Sequence, residues 1–252
     1  MINRTLLENY LTELLLRPTI KDYCPNGLQI EGKSSIKSII TGVTACQKLI
    51  DQAVEKNADA ILVHHGLFWK GDKQTITGIQ KKRISKILLN NINLFAYHLP
   101  LDIHKNLGNN IQLGKLLNLS KFRELNTNTD INYGLIGELN NELTLVELEN
   151  LISRKLNRKT LTIKANNKKI KSIGICTGAG QDFIQSASDA NLDIFISGEV
   201  SERTTHLAIE NGINYISAGH HATERYGIKA LGEKLSTEFN LKHEFIDIDN
   251  PV

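Results

Sequence analysis

Seven of the eight histidines fall in four short segments, "HHG" (His64, His65), "YHLPLDIH" (His98, His104), "TTH" (His206) and "GHHATE" (His220, His221). Acids stand among them, Asp102 in the second segment and Glu224 in the fourth. A pool of imidazole and carboxylate with no well-placed thiolate suits Zn, Mn, Fe or Ni and argues against a structural zinc site of the cysteine type. The spacings sharpen this. His220 and Glu224 are four apart where a helix should start, so they share one face a turn apart. His64 and His65 end the apolar run "ILV", and neighbours in a strand point to opposite faces, but Gly66 lets the chain turn there so that both rings can converge. Asp102 follows a strand end, after Pro100. His64, His65, Asp102, His220 and Glu224 are thus five candidate ligands, more than one open-sited ion uses. Two ions sharing a carboxylate is the economical arrangement.

Around these stand candidates for other work. His98 and His104 flank Asp102; either could be a core histidine or orient that carboxylate, as metal ligands commonly require, or act as a base. Glu199, in "SGE", could be a general base or a substrate contact, or a plain surface carboxylate. His206 follows two helical turns later and could face the same cleft, whereas His221 points away from His220 and is left out. Trp69 is the sole tryptophan and is expected to pack under the loop after His65. Lys70, Lys73, Arg203 and Arg225 could receive phosphates, though scattered cations beside acids are usually just solvated.

The elements that must position these residues repeat once along the chain. "IKSIITGVTACQKLIDQAVEKNADAILVHHG" (36–66) set over "IKSIGICTGAGQDFIQSASDANLDIFISGEV" (170–200) gives 10 identities in 31 ungapped positions, Asp59/Asp193 among them, and puts Glu199 where His65 stands. "NINLFAYH" (91–98) resembles "GINYISAG" (212–219), and Thr5 and Thr144 each open a Thr-x-x-Glu pattern that reads as a capping box. Each half then has a capped helix (about 4–16 and 144–157), the "IKSI" strand, a helix, a strand at 59–63 or 193–197, a second helix, and a third strand at 93–98 or 213–218. "AILV" and "IFIS" are apolar throughout, as strands covered on both faces are. The fold class is α/β, an internally duplicated two-lobed fold with mainly parallel mixed sheets flanked by helices. The polar stretch "LNTNTDIN" reads as the seam, giving lobes 1–125 and 126–252, and the C-terminal segment has the option of packing back on the first.

Composition excludes several classes. A net charge of +3, evenly spread, does not argue for nucleic acid, and "KKRISK" (81–86) reads as a solvated helix face. No run approaches the ~18 apolar residues of a membrane span, and the amphipathic N-terminus is not a signal peptide. Three cysteines without a CxxC pair read as reduced thiols, so a cytoplasmic location is expected.

The motifs "NGLQIEG", "HHGLFWKG", "YHLPLDIHKNLGNN", "SGEVSERTTHLA" and "GHHATERYGIKALGE", in that order from Asn26 to Glu233, resemble those of the GTP cyclohydrolase 1 type 2 homolog family, also called Nif-three-like. The resemblance implies two divalent ions per chain, with His65 and Asp102 on one, His64 and His220 on the other, and Glu224 bridging. It also implies a two-lobed fold, a toroidal homohexamer, and GTP as a substrate opened at the imidazole ring of its purine. No P-loop accompanies the site, so a nucleotide would be held by the metals and nearby cations. The expected function is a metal-dependent hydrolase of a nucleotide or small cyclic amide, with Glu199 or His98 passing protons. The alternative is a non-enzymatic metal-binding scaffold or regulatory protein. A Rossmann oxidoreductase is disfavoured, because no GxGxxG follows the first strand.

Overall fold

The computed structural model describes residues 1–15 and 20–252. The chain runs β1 (Ile2–Asn3), α1 (Arg4–Leu15), β2 (Gly27–Ile30), β3 (Ser35–Ile36), β4 (Ser38–Thr44), α2 (Gln47–Glu55), β5 (Ala60–His65), α3 (Gly78–Leu89), β6 (Asn93–Ala96) and α4 (Leu99–Asp102). It continues through α5 (Asn109–Leu116), β7 (Ser120–Leu125), β8 (Gly134–Leu143), α6 (Leu145–Leu156), β9 (Leu161–Ile163) and β10 (Ile170–Cys176). Last come α7 (Ile184–Asp189), β11 (Ile194–Ser197), α8 (Glu202–Asn211), β12 (Asn214–Ser217), α9 (His220–Phe239) and β13 (Lys242–Phe245). Of the expected first helix, residue 16 lies outside the described residues.

The chain forms two compact units, one of Met1–Leu107 with Gly227–Asp249, the other of Gly108–Tyr226 with Asn250–Val252. Their sheets carry the duplication. In the first unit the order is β13-β4-β5-β6-β2, with β4, β5 and β6 parallel and β2 antiparallel to β6. In the second it is β7-β8-β10-β11-β12-β9, with β10, β11 and β12 parallel and β9 antiparallel to β12. The four strands β4-β5-β6-β2 and β10-β11-β12-β9 are the same motif, and the units differ in what covers the other edge. There β13 adds parallel to β4, whereas β8 adds antiparallel to β10. The seam expected near 125 is instead a hairpin inside the second unit, for residues 126–133 join the antiparallel strands β7 and β8. Polar loop composition marks a turn as readily as a domain boundary. The C-terminal segment does belong largely to the first unit, through β13.

Strands β5 and β11 are buried on both faces, as their unbroken apolar runs require. Ile61 and Val63 meet Leu49, Ile50 and Ala53 of α2 and Ile84 and Ile87 of α3. Ala60 and Leu62 face the opposite way, toward Leu7 and Leu11 of α1 and toward Ile228, Leu231 and Leu235 of α9. In the second unit Ile194 and Ile196 pack with Leu148 and Ile152 of α6, and Phe195 packs with Ile184 and Ala187. Thr144 and Glu147 form the expected capping box of α6. The Thr5 box does not form. Helix α1 starts at Arg4, as expected, so Thr5 lies inside it, and the Thr5 N–H donates to Asn3 Oδ1 at 2.9 Å.

Candidate metal centre

In each unit the functional side chains sit at the carboxyl ends of three adjacent parallel strands, where open α/β sheets gather ligands. In the first unit these are Thr44 ending β4, His64 and His65 ending β5, and His98 just after β6. In the second they are Gly178 after β10, Glu199 after β11, and His220 after β12. Thr44 and Gly178, and likewise His65 and Glu199, are equivalent positions of the repeat.

The first unit holds three of the five expected ligands. His64 is fully buried, and His65 is partly exposed beside it, their ring centroids 4.6 Å apart. The rings thus converge although both residues belong to β5. The turn that follows is pinned by Gln29, whose Oε1 accepts the Leu67 N–H at 2.9 Å and whose side chain occupies the space a Cβ at Gly66 would need. His64 Nδ1 lies 2.9 Å from the Tyr97 carbonyl, which accepts only from a protonated nitrogen. Nδ1 is therefore the donor, which in the neutral ring leaves the lone pair on Nε2. That Nε2 is 3.5 Å from Asp102 Oδ1. His65 Nδ1 lies 3.1 Å from Thr44 Oγ1.

His98 is brought up to this pair, with centroids 5.1 Å from His64 and 5.6 Å from His65. Sequence reasoning missed the residue that holds it. Asp22 Oδ1 sits 2.7 Å from His98 Nδ1, and its other oxygen accepts from the Leu99 N–H and from Asn26 Nδ2. Asn26 Oδ1 in turn accepts the His98 N–H at 2.7 Å. Burial would push the Asp22 carboxyl up, but the bonds from His98, Asn26 and the Tyr23 N–H outweigh it and hold the group below the usual aspartate range. Trp69 stands edge-on to His98, centroids 5.1 Å apart, and so packs against the histidines.

The second unit holds His220 and Glu224 on the first turn of α9. His220 lies between two carboxylates, with Nε2 3.1 Å from Glu224 and Nδ1 2.6 Å from Glu199. Burial opposes charge on this ring, yet Glu224 and Glu199 together raise it to about 9. Glu224 is almost wholly buried. Gly178 makes room for it. This residue has φ +63°, and a Cβ there would overlap Glu224 Oε1 and press on His220 Nε2.

Other candidates are occupied elsewhere. His104 Nδ1 accepts the Asn106 and Leu107 N–H groups and so closes its own loop. His206 pairs with Glu202 on the exposed side of α8. Arg203 pairs with Asp182, and Arg225 donates to the Leu156 carbonyl. Lys70 and Lys73 are exposed.

The donor set suits a divalent transition ion. Imidazoles gripped at one nitrogen offer the other beside a carboxylate, and the glycine cradle at 178 leaves room around the Glu224 oxygens. The sequence profile of the Duf34/NIF3 (NGG1p interacting factor 3) family matches residues 2–251. The chain belongs to the Duf34/NIF3 family. Curated relatives include the GTP cyclohydrolase 1 type 2 homolog of Haemophilus influenzae, 51% identical over 100% of both chains, and that of Escherichia coli K12, 45% identical over the same share. Among solved structures, the protein ybgI, described as of unknown function, is 45% identical with a TM-score of 0.95 and full coverage of both chains. TTHA1606 of Thermus thermophilus is 29% identical with a TM-score of 0.90, again over both whole chains. The α/β fold read from the letters is the fold of this family.

Proposed function

We propose that the chain is a metal-dependent hydrolase in which His64, His65, Asp102, His220 and Glu224 hold two divalent ions, of Zn, Fe, Mn or Ni. The observation that carries this reading is the way the rings are set. His64 is gripped at Nδ1 by a backbone carbonyl and His220 by Glu199, and each presents Nε2 beside a carboxylate, Asp102 or Glu224. Ions bound there would lower the pKa of a water toward neutrality and polarise a substrate oxygen. Asp22 holds His98 beside the first pair of ligands, where its ring could accept a proton from a nucleophile. Glu199 fixes His220 and, being partly exposed, could also meet substrate.

The substrate class we propose is a nucleotide or small cyclic amide. The name of the curated relatives points to GTP. We further propose a homohexamer, to be checked by light scattering. No helix of the described residues is long and apolar enough to cross a membrane. The thiols Cys24, Cys46 and Cys176 favour a reducing, cytoplasmic setting.

The test is metal analysis of protein purified without chelators, followed by a hydrolysis screen of nucleotides and cyclic amides. The expected result is about two equivalents of transition metal per chain, in the manner of two-metal sites. Less than one equivalent, unaltered by His220→Ala or Glu224→Ala, would defeat the reading.

A further inference from the structure

We propose that Arg158 and the tail Asn250–Val252 form a clamp that positions His220 for metal binding. All of these residues belong to the second unit. The proposal rests on the reading of His220 as a ligand given above, and it assigns a part to two segments which that reading leaves out.

The sheet sets Arg158 beside His220. Strand β9 runs antiparallel to β12 with Leu161 opposite Ser217, so the residues before β9 lie along those after β12. The Arg158 backbone is anchored at the end of α6, where its N–H donates to the Ser153 carbonyl at 3.0 Å, just after Asn157 with its φ of 53°. Its guanidinium lies against Gly219, the residue before His220. Gly219 has φ +97°, and a Cβ there would overlap Arg158 Nη1. From the β11 side, the Gly198 carbonyl accepts the Gly219 N–H at 2.8 Å, next to Glu199. The turn that carries His220 is thus held on both flanks. Arg158 also reaches the tail. Its Nη2 donates to the Pro251 carbonyl at 3.1 Å and its Nε to the Lys159 carbonyl at 3.4 Å. The tail returns to the helix, for the Val252 main-chain oxygen accepts the His221 N–H at 2.9 Å, while the Val252 N–H donates to Asn250 Oδ1 at 3.0 Å. The first N–H groups of a helix have no acceptor within it, so Val252 supplies one on the turn that bears His220 and Glu224. An arginine that only closed α6 would do so with its backbone and leave its guanidinium in water. Here the guanidinium joins the end of α6, the turn before His220 and the tail, and so fixes where the imidazole stands between Glu199 and Glu224.

The experiment strips the full chain of metal and titrates it with Co2+, whose visible bands report ligand geometry, well below the melting temperature of each variant. Arg158→Ala removes the guanidinium, and a chain lacking residues 251 and 252 removes the tail while keeping Arg158. Each should weaken the weaker of the two Co2+ binding steps ten- to hundredfold, the usual range for loss of an outer partner of a metal ligand. Leu148→Ala, a cavity in the core beneath α6, is the control. It should lower the melt and leave Co2+ affinity as in the wild type. Should Arg158→Ala fail to give a cooperative melt, the shortened chain decides. Unchanged affinity in Arg158→Ala or in the shortened chain overturns the proposal, as does an equal loss in Leu148→Ala, which would make the effect one of general stability. If the wild type binds two ions and the variants match it, the dinuclear reading stands and the clamp falls. If the wild type binds none, both fall.

Discussion

At Gly178 one added methyl group reaches the candidate centre. Its φ of +63° is a left-handed conformation that costs an L side chain roughly 1–2 kcal/mol, and the new Cβ would overlap a Glu224 oxygen. Gly178→Ala is therefore expected to lower stability by about 1–3 kcal/mol and to lower metal content with it, read by thermal melts and metal analysis. Glu199→Gln tests a different point. It keeps the shape but removes the charge that grips His220 Nδ1, so metal affinity should fall ten- to hundredfold while the melt moves little. Unchanged affinity would relieve Glu199 of any orienting part. The ligand types at this scale were legible in the letters because histidines and acids clustered in four short segments. Asp22 and Gly178 were not, since each acts through a partner far along the chain, His98 and Glu224, and neither residue type is rare in turns.

The duplicated elements are tied by duplicated carboxylates. Asp59 Oδ2 accepts the N–H groups of Lys37 and Ser38, and Asp193 Oδ2 accepts those of Lys171 and Ser172, so each aspartate fixes the start of one strand to the start of its parallel neighbour. Asn57 and Asn191 end the preceding helices with the same φ of 53°. The repeat alignment holds all four residues as identities, which is why the succession of strands and helices in each half could be read before any coordinates. The Thr5 pattern misled because Asn3, one position outside the expected helix boundary, competes as the cap and wins. For Asp59, burial raises the carboxyl's pKa, but Lys33 and the backbone N–H groups of Lys37 and Ser38 outweigh it, leaving it below the ordinary 3.8. Stability from this group is then fully present above the ordinary value and is lost as pH falls through the depressed one. Asp59→Asn should cost about 1–3 kcal/mol at pH 7, through weakened bonds to the partly buried N–H groups of Lys37 and Ser38. In urea titrations the gap to wild type should shrink below the ordinary aspartate pKa. A gap that stays constant down to pH 2 would show that the carboxylate charge is not what holds the strands.

The chain passes from one unit to the other after Leu107, returns at Gly227, and leaves again for its last three residues. The return at Gly227 lies inside the continuous helix α9, where no polar loop marks it, and the crossing after Leu107 falls in a short turn rather than at the longer polar stretch 125–132. The consequence is an asymmetry in what each unit needs. The first draws Ile228, Leu231, Leu235 and Leu241 into the core that covers one face of its sheet, and takes β13 as an edge strand beside β4. Each of those side chains contributes about 1.5–3 kcal/mol on burial, and a domain's net stability is only about 5–15 kcal/mol. Fragment 1–107 should therefore remain unfolded by itself, with poorly dispersed amide resonances, and should gain dispersion when peptide 227–249 is added. Fragment 108–226 keeps every strand of its sheet and loses only the tail, whose Val252 and Pro251 carbonyls accept from the His221 N–H and from Arg158. It should fold, with a melt lowered by the equivalent of about 1–3 kcal/mol for those two bonds. If 1–107 folds unaided, the returning segment is a surface addition and the first unit's core is complete without it.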